Sequence, residues 1–323
     1  MIGTSRSPDS ADRVRALGAE PITLDLLDPR AVREAVLEAE PDAIVHQATA
    51  LAGVRFSKHL DRSFAQTNRL RTEGTDALLA AGREAGVPRF VAQSFASMRY
   101  RRVGGPVKTE DDPLDPSPVP AMRETDAAMR YLDQAVTNAG GIALRYGGFY
   151  GAANDGMVEP VRRRQFPIVG DGGGVSSFIH LDDAAAATVL ALEHDGAGVY
   201  NIVDDEPAPV REWLPVLANV LGAKPPRHFP CWLARLFAGE ALVMMGTESR
   251  GASSAKAKRE LGWELRYPSW RQGFVAAYAS TPPTDGRESR ASRPVEDDGF
   301  EPTTSAVQGS AEGPFRRSAG EIG

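Results

Sequence analysis

Short apolar runs alternate with longer stretches of helical periodicity over the first 200 residues, and this alternation limits the possible folds more than any other feature. The apolar runs lie at residues 22–24, 43–46, 90–92, 142–146 and 199–203. Between them, residues 29–39, 60–85 and 122–139 repeat apolar side chains at spacings of three and four. Strands that alternate with helices predict an α/β fold, a doubly wound parallel sheet covered by helices on both faces.

The organisation changes after about residue 150, which predicts a first domain at 1–150. Helical patterns then dominate, at residues 182–193, 210–221, 232–245, 253–261 and 270–278. They predict a smaller, mostly helical lobe over 151–280, some of whose elements can return to the sheet. Residues 281–323 are rich in Ser, Pro, Thr, Gly and Glu, and a segment with few large apolar side chains predicts a disordered tail.

The composition of the chain excludes several classes of function. The net charge of −6 gives no general attraction for nucleic acid or an anionic membrane, and no apolar run is long enough to span a bilayer. Cys231 is the single cysteine of the sequence, so an internal disulfide and a cysteine metal cluster are excluded, and no metal is expected. We expect a cytoplasmic protein that acts on a small molecule.

Eight short motifs follow one another in a fixed order over residues 1–280. They are IGTSR at 2–6, DL at 25–26, VHQA at 45–48, TN with GT at 67–68 and 74–75, RFVAQS at 89–94, RYGGFYG at 145–151, FIHLDD at 178–183 and SAKAKRELGW at 254–263. Each motif is weak alone, but in this order they resemble the extended short-chain dehydrogenases, the NAD-dependent epimerase/dehydratase family. The resemblance implies a Rossmann-type NAD(P)-binding sheet with a substrate lobe.

The resemblance also implies a set of cofactor-binding residues. Arg6 would lie beside the adenosine ribose, where a cation suits the 2′-phosphate of NADP, so NADP is preferred over NAD; a solvated loop arginine is the alternative. The other implied positions are Asp25 and Leu26 at the adenine, His46, Gln47, Ala48, Gln93 and Ser94 under the pyrophosphate and ribose, and Tyr146, Gly147, Gly148 and Phe149 at the nicotinamide.

The expected catalytic pair is missing. Family members use Tyr-x-x-x-Lys, in which the lysine lowers the tyrosine pKa so that the phenol exchanges a proton as hydride moves. Counting back from Arg145, the corresponding helix positions hold Met122 and Asp126. Phe95 follows Ser94 where a second hydroxyl is usual, and Ser176-Ser177 replaces an arginine of the sugar-nucleotide enzymes.

Other side chains are therefore the candidates for proton transfer. Ser94, Ser97, Tyr146 and His180 are the candidate catalytic residues, with Tyr100 as a further possibility. His180 precedes a helix-patterned segment, and a positioning or core role is favoured over a base role there.

The resemblance further implies that the chain lacks the first strand of the fold and the glycine loop that binds the pyrophosphate. That strand is central in a 3-2-1-4-5-6 order, so its loss would leave two strand edges unpaired and make the chain fold poorly or pair with another chain.

Three functional interpretations stay open. The chain is an oxidoreductase, epimerase or dehydratase of a small carbonyl or sugar-like substrate with a non-standard proton relay; a catalytically inactive NADP-binding sensor or scaffold; or an inert truncated fragment. A homodimer through helices 60–85 and 122–139 is also expected from the family.

Overall fold

The structure is a computed structural model, and it describes residues 1–6, 8–51, 58–151 and 156–279. The predicted disordered tail at 281–323 lies outside the described residues. Among the described residues, no helix is long and apolar enough to cross a membrane, and no group of three metal-ligating side chains comes together.

The described strands are β1 (Ile2–Ser5), β2 (Glu20–Thr23), β3 (Ala43–His46), β4 (Arg89–Phe95), β5 (Val107–Lys108), β6 (Ile142–Tyr146), β7 (Gly148–Tyr150), β8 (Ile168–Val169), β9 (Val175–Ser176), β10 (Phe178–His180), β11 (Gly198–Ile202), β12 (Ala208–Pro209), β13 (His228–Phe229) and β14 (Gly251–Ala252). The described α-helices are α1 (Pro8–Ala16), α2 (Pro29–Ala39), α3 (Leu60–Ser63), α4 (Ala65–Arg69), α5 (Thr75–Glu84), α6 (Arg123–Asn138), α7 (Val158–Arg162), α8 (Leu181–Glu193), α9 (Val210–Val220), α10 (Cys231–Thr247), α11 (Ala255–Leu261) and α12 (Trp270–Tyr278).

The main sheet has four parallel strands in the order β11-β6-β4-β3. Its register pairs Ala43 of β3 with Arg89 of β4 and Val91 of β4 with Ile142 of β6. The predicted parallel sheet is confirmed. Because β11 comes from beyond residue 150, the lobe sends one strand back to the sheet, and the boundary at residue 150 stays a prediction.

The expectation that the first strand of the fold is missing is not supported by the structure. The chain opens on β1, which pairs in parallel with β2 from Ile2–Glu20 to Ser5–Thr23. Within the described residues, these two strands form a sheet of their own beside the four-stranded sheet. The sequence predicts only the end of a strand at residues 2–6. It does not predict α1, because that helix has few apolar positions.

The helices begin and end where local chemistry predicts. Asp28 caps α2, and its side chain accepts hydrogen bonds from the backbone of Arg30 and Ala31. Pro29 at the first helical position has no N–H to leave unpaired. Gly140, at φ 84°, lies just after α6 and lets the chain turn into β6.

The predicted helix over 60–85 is instead divided. It consists of α3, α4, a π-helical turn at Leu70–Gly74, and α5. The buried face of this divided helix packs on α2 and β3 through Leu70, Ala77, Leu78 and Ala81. A π-turn adds a residue to the helix and turns the following side chains, and here it places Arg71 in the interior.

The C-terminal lobe has its own core. Tyr150, Phe178, Trp213 and Phe274 are buried there, with ring centroids of neighbouring pairs 5.1–5.3 Å apart. Two-residue strands pair within the lobe, β8 with β13 and β9 with β12. The predicted mostly helical lobe therefore contains short strands that bring its loops together near the sheet.

Candidate active site

The carboxyl ends of β3, β4 and β6 meet along one edge of the main sheet, where a parallel α/β sheet binds its ligands. Two residues implied for the cofactor make contact there. The Gln47 amide donates a hydrogen bond to the Tyr146 hydroxyl at 3.3 Å, and that hydroxyl lies 2.6 Å from Oγ1 of Thr188. Burial raises the pKa of Tyr146 to about 12, so its hydroxyl stays protonated at neutral pH.

His46, at the end of β3, is buried and neutral. Its Nε2 lies 3.2 Å from the carbonyl of Leu70, and burial lowers its pKa to about 4. The neighbouring Ala48 packs against the core that surrounds α2. The ring of His46 therefore fixes β3 to the divided helix, and any contact with a ligand here falls to Gln47 and Ala48.

Ser94 and Ser97, near the end of β4, differ in their burial and in their hydrogen bonds. The Ser94 hydroxyl is buried and accepts a hydrogen bond from Nη1 of Arg99 at 3.1 Å. Ser97 lies beyond the strand and is half-buried, as is Gln93. Because Ser94 is held inward by a guanidinium, it is a poor candidate for exchanging protons with a substrate.

His180 ends β10 and caps helix α8. Its Nδ1 accepts a hydrogen bond from the backbone N–H of Asp182 at 3.1 Å, and its ring stacks on Tyr267 with centroids 4.0 Å apart. Burial lowers its pKa. A neutral imidazole that accepts at Nδ1 and stacks on a ring holds the helix start in place, which agrees with the positioning role favoured from the sequence.

Two glycines follow β6 where the chain passes close to β10. A Cβ on Gly147 would lie 2.8 Å from the carbonyl oxygen of Ser177, and the N–H of Gly148 donates to that same oxygen at 2.8 Å. Phe149 then packs on Tyr146, with centroids 5.2 Å apart. Close backbone packing thus explains Gly147, whatever ligand lies beyond it.

The adenosine end implied by the sequence lies at the ends of β1 and β2. Arg6 is exposed directly after β1, and Asp25 is exposed after β2. Asp25 accepts a hydrogen bond from the N–H of Leu27 at 2.9 Å, which fixes the turn, while the side chain of Leu26 is buried in the core. Leu26 therefore has only its backbone to offer a ligand.

The positions of the missing catalytic pair lie at the start of α6. Met122 is buried in an apolar cluster formed by Leu60, Phe64, Met98, Val119, Met122, Ala241, Met244 and Met245. This methionine cluster lies between α3, the start of α6 and helix α10 of the lobe. Asp126, one turn further, is buried and binds Arg130 through Oδ2. The site offers thioethers and a carboxylate where a phenol and an ammonium are expected.

A buried ionic cluster behind this site was missed by the sequence reasoning. Asp133 of α6 accepts from Arg99 and Arg145 through the same oxygen, Oδ2, at 2.9 and 2.8 Å. Arg145 also donates to the Tyr100 hydroxyl at 3.3 Å, and Tyr100 donates to Asn201 at 2.8 Å. The spacing of Asp133 from the apolar residues 129, 132 and 136 could have placed it on the buried face of α6.

The chain is similar to known proteins in both sequence and structure. The family model described as "NAD dependent epimerase/dehydratase family" matches residues 1–203. A 3-diazoavenalumate denitrifying reductase of a Streptomyces species is 42% identical over 278 residues, covering 84% of this chain and 88% of the relative. The truncation expected from the sequence is not shown by this match.

More distant proteins share the fold. A 4-hydroxy-2-methyl-3-oxo-4-farnesyl-3,4-dihydroquinoline-1-oxide ketoreductase of Stigmatella aurantiaca is 28% identical, covering 87% of this chain and 89% of the relative. The solved UDP-glucose 4-epimerase of Thermus thermophilus, in complex with NAD, superposes with a TM-score of 0.61 at 24% identity, covering 81% of this chain and 84% of that one. The similarity to the epimerase structure concerns the fold alone.

Proposed function

Because the chain belongs to the NAD dependent epimerase/dehydratase family, we propose that it is an NAD(P)-dependent reductase whose substrate accepts hydride without a proton. The substrate class is a diazonium compound that loses dinitrogen. The observation that carries this proposal is the replacement of the proton-transferring pair by Met122 and Asp126 at the start of α6.

The chemistry explains why such a replacement is tolerated. Reduction of a carbonyl leaves an alkoxide, so the enzyme must supply a proton. A diazonium carbon that receives hydride becomes a C–H group while dinitrogen departs with the electron pair of the broken C–N bond. The bound nicotinamide cofactor supplies that hydride and becomes oxidised. No oxyanion forms, and a tyrosine–lysine pair has no proton to deliver.

The side chains at the start of α6 suit a cationic, water-sensitive substrate. The methionine cluster is apolar and excludes water, which would otherwise replace the diazonium group by a hydroxyl. The carboxylate of Asp126 lies beside it and is paired with Arg130 through Oδ2, while its Oδ1 makes no hydrogen bond to another described residue. A lysine at this position would repel the substrate instead.

The similarity to the 42% identical relative supports the same reaction class. That relative is named as a denitrifying reductase of a diazo carboxylate, and it shares nearly the full length of the described chain. The 28% identical ketoreductase supports reduction as the general activity.

The residues present fit a nicotinamide dinucleotide at both of its ends. Arg6 is exposed where the adenosine would lie, and Gln47, expected under the pyrophosphate and ribose, is bonded to Tyr146, expected at the nicotinamide. We propose NADP as the preferred form, because a guanidinium beside the ribose pairs with the 2′-phosphate. Arg6→Ala is expected to weaken NADPH binding by roughly tenfold, about 1.4 kcal/mol, and to leave NADH binding nearly unchanged. Equal losses for both cofactors, in a fluorescence titration, would exclude this role.

The proposed reaction is tested with NADPH and para-carboxybenzenediazonium as the probe. The protein is expected to oxidise one NADPH for each dinitrogen and each benzoate produced, measured by absorbance, gas mass spectrometry and chromatography. A panel of ketones and aldehydes is the comparison and is expected to give far slower turnover. The proposal is wrong if carbonyl compounds are reduced and the diazonium probe is not.

The same experiment separates the remaining alternatives. Saturable NADPH binding without turnover of either class would favour the catalytically inactive NADP-binding protein. The homodimer through helices 60–85 and 122–139 stays a prediction, and sedimentation of the purified chain would test it.

A further inference from the structure

The buried cluster around Asp133 contains more positive than negative charge. Arg99 and Arg145 share Oδ2 of Asp133, and the side chains of all three are less than 10% exposed, at 0%, 8% and 6%. Moving a guanidinium out of water costs several kcal/mol unless its charge is paired and its N–H groups are bonded. One carboxylate cannot compensate both groups.

Arg71 adds a third buried guanidinium. It lies on the π-turn and is 6% exposed, and its guanidinium makes no hydrogen bond or ion pair with a described residue. Burial first, and then repulsion by Arg99, lower the pKa of Arg71 to about 10, against a weaker attraction by Asp133. The π-turn packs against α6, the helix whose Asp133 binds Arg99. Arg71 and Arg99 therefore lie near enough for their positive charges to repel each other.

The nearby acids do not neutralise this charge. Asp126, which also attracts Arg99, is bound to Arg130. Glu110 accepts from the backbone N–H of Asn201 at 2.6 Å, and burial raises its pKa. Even with Glu110 ionised, the described charges of the cluster leave a net positive charge in the interior.

The orphaned N–H groups lie at the same place. Nε and Nη2 of Arg99 are buried without a hydrogen-bond partner, as is Oδ1 of Asp133. A water molecule could satisfy the carboxylate oxygen and one N–H, but it would not compensate the repulsion between Arg71 and Arg99. Buried N–H groups without hydrogen-bond partners, in a region of net positive charge, indicate an anion site.

We propose that Arg71 and Arg99 form a buried site for a small monovalent anion, between the π-turn and the end of β4. The anion is a halide or the carboxylate group of a small organic acid, since both present one negative charge to converging N–H groups. The proposal does not depend on the proposed hydride transfer, and it is tested without cofactor or turnover.

The first test measures thermal unfolding in sodium chloride, sodium acetate and sodium gluconate at equal ionic strength. Gluconate serves as the anion too large for the interior. Chloride or acetate is expected to raise the Tm of the wild-type chain above that in gluconate by roughly 3 °C. A larger rise in acetate identifies a carboxylate site, and a larger rise in chloride identifies a halide site.

Arg71→Met removes one of the two cations while keeping an unbranched apolar side chain. It is expected to lose the anion-dependent rise and, in gluconate, to be at least as stable as wild type, because the repulsion is gone. Arg69→Met is the matched control on the same helical segment, where Arg69 is exposed and paired with Glu73; it should keep the rise. Equal Tm values of the wild-type chain in all three salts, or an undiminished rise in Arg71→Met, would overturn the proposal.

A second measurement does not depend on the variants folding. Wild-type crystals soaked in sodium bromide are expected to show an anomalous peak between the guanidinium groups of Arg71 and Arg99. Density for water alone at that place, with no anomalous signal, would overturn the proposal.

Discussion

At the scale of single residues, the proposed reaction depends on two positions at the start of α6. The side chains there differ in charge from those that the family resemblance implies. Met122 and Asp126 replace a phenol and an ammonium by a thioether and a carboxylate, so an anion paired with Arg130 stands where a cation is expected. Such a change cannot support protonation of an alkoxide. It favours a substrate that carries its own positive charge, and it makes Asp126 the residue whose loss is most informative.

Asp126→Asn is expected to lower kcat/KM for the diazonium probe by at least tenfold, which corresponds to about 1.4 kcal/mol of lost transition-state stabilisation. The affinity for NADPH should change little, while the Tm falls because Arg130 loses its charged partner. Glu124→Gln, an exposed acid in the same helical turn, is the control and should behave as wild type. Undiminished turnover in Asp126→Asn would remove the electrostatic part of the account.

A second buried carboxyl group predicts a pH dependence of stability. Asp204 is 1% exposed, its Oδ2 has no hydrogen-bond partner, and burial raises its pKa from 3.8 to about 7. Since the unfolded chain ionises this group at a lower pH than the folded chain does, the free energy of unfolding falls as pH rises from about 4 to about 7 and then levels off.

Asp204→Asn should remove that fall and raise stability above pH 7 by a few kcal/mol at most, an order-of-magnitude figure from the pKa shift. Urea unfolding of both chains between pH 5 and pH 8 measures it. Asp205→Asn, its exposed neighbour, should keep the wild-type slope. Parallel pH profiles for wild type and Asp204→Asn would show that Asp204 is ionised in the folded chain as readily as in the unfolded chain.

At the scale of elements, the sequence predicted several helices and strands with their observed bounds, but not the division of the helix expected over 60–85. The strands at 43–46 and 142–146 and the helices at 29–39 and 270–278 have the predicted bounds, because apolar periodicity and turn residues act locally there. The two-residue strands of the lobe were not predicted, since their pairing depends on distant partners and leaves no periodic signal. The π-turn that buries Arg71 was also not predicted, because the apolar spacing over residues 60–85 indicates one continuous helix.

The kink within α10 gives a prediction for one element. Gly239 has φ 84° and ψ 177°, a conformation open essentially to glycine, and a Cβ there would lie 2.9 Å from Cβ of Lys58. Gly239→Ala should lower the free energy of unfolding by about 1–3 kcal/mol. Gly105→Ala, where no atom lies within 4 Å of the added methyl, is the control and should change stability far less, as measured by urea unfolding. Equal effects would mean that α10 straightens without cost.

At the scale of the whole molecule, the fold brings two of the predicted cofactor residues into contact at one edge of the main sheet, while the proposed substrate contacts fall on side chains that no motif marks. Gln47 and Tyr146 were expected at that edge and make contact there. The methionine cluster joins residues from positions 60 to 245, and the Arg99–Asp133 pair joins a loop to a helix. These contacts form only when the sheet, the helices and the lobe pack together, so no local sequence pattern predicts them.

The central claim, that hydride from the cofactor reaches carbon without a proton from solvent, is tested most directly by isotope tracing. The chain would reduce para-carboxybenzenediazonium once with NADPH deuterated at its transferable position in ordinary water, and once with unlabelled NADPH in D₂O. The account predicts benzoate with one deuterium in the first reaction and none in the second, by mass spectrometry. Deuterium incorporated from D₂O would contradict it.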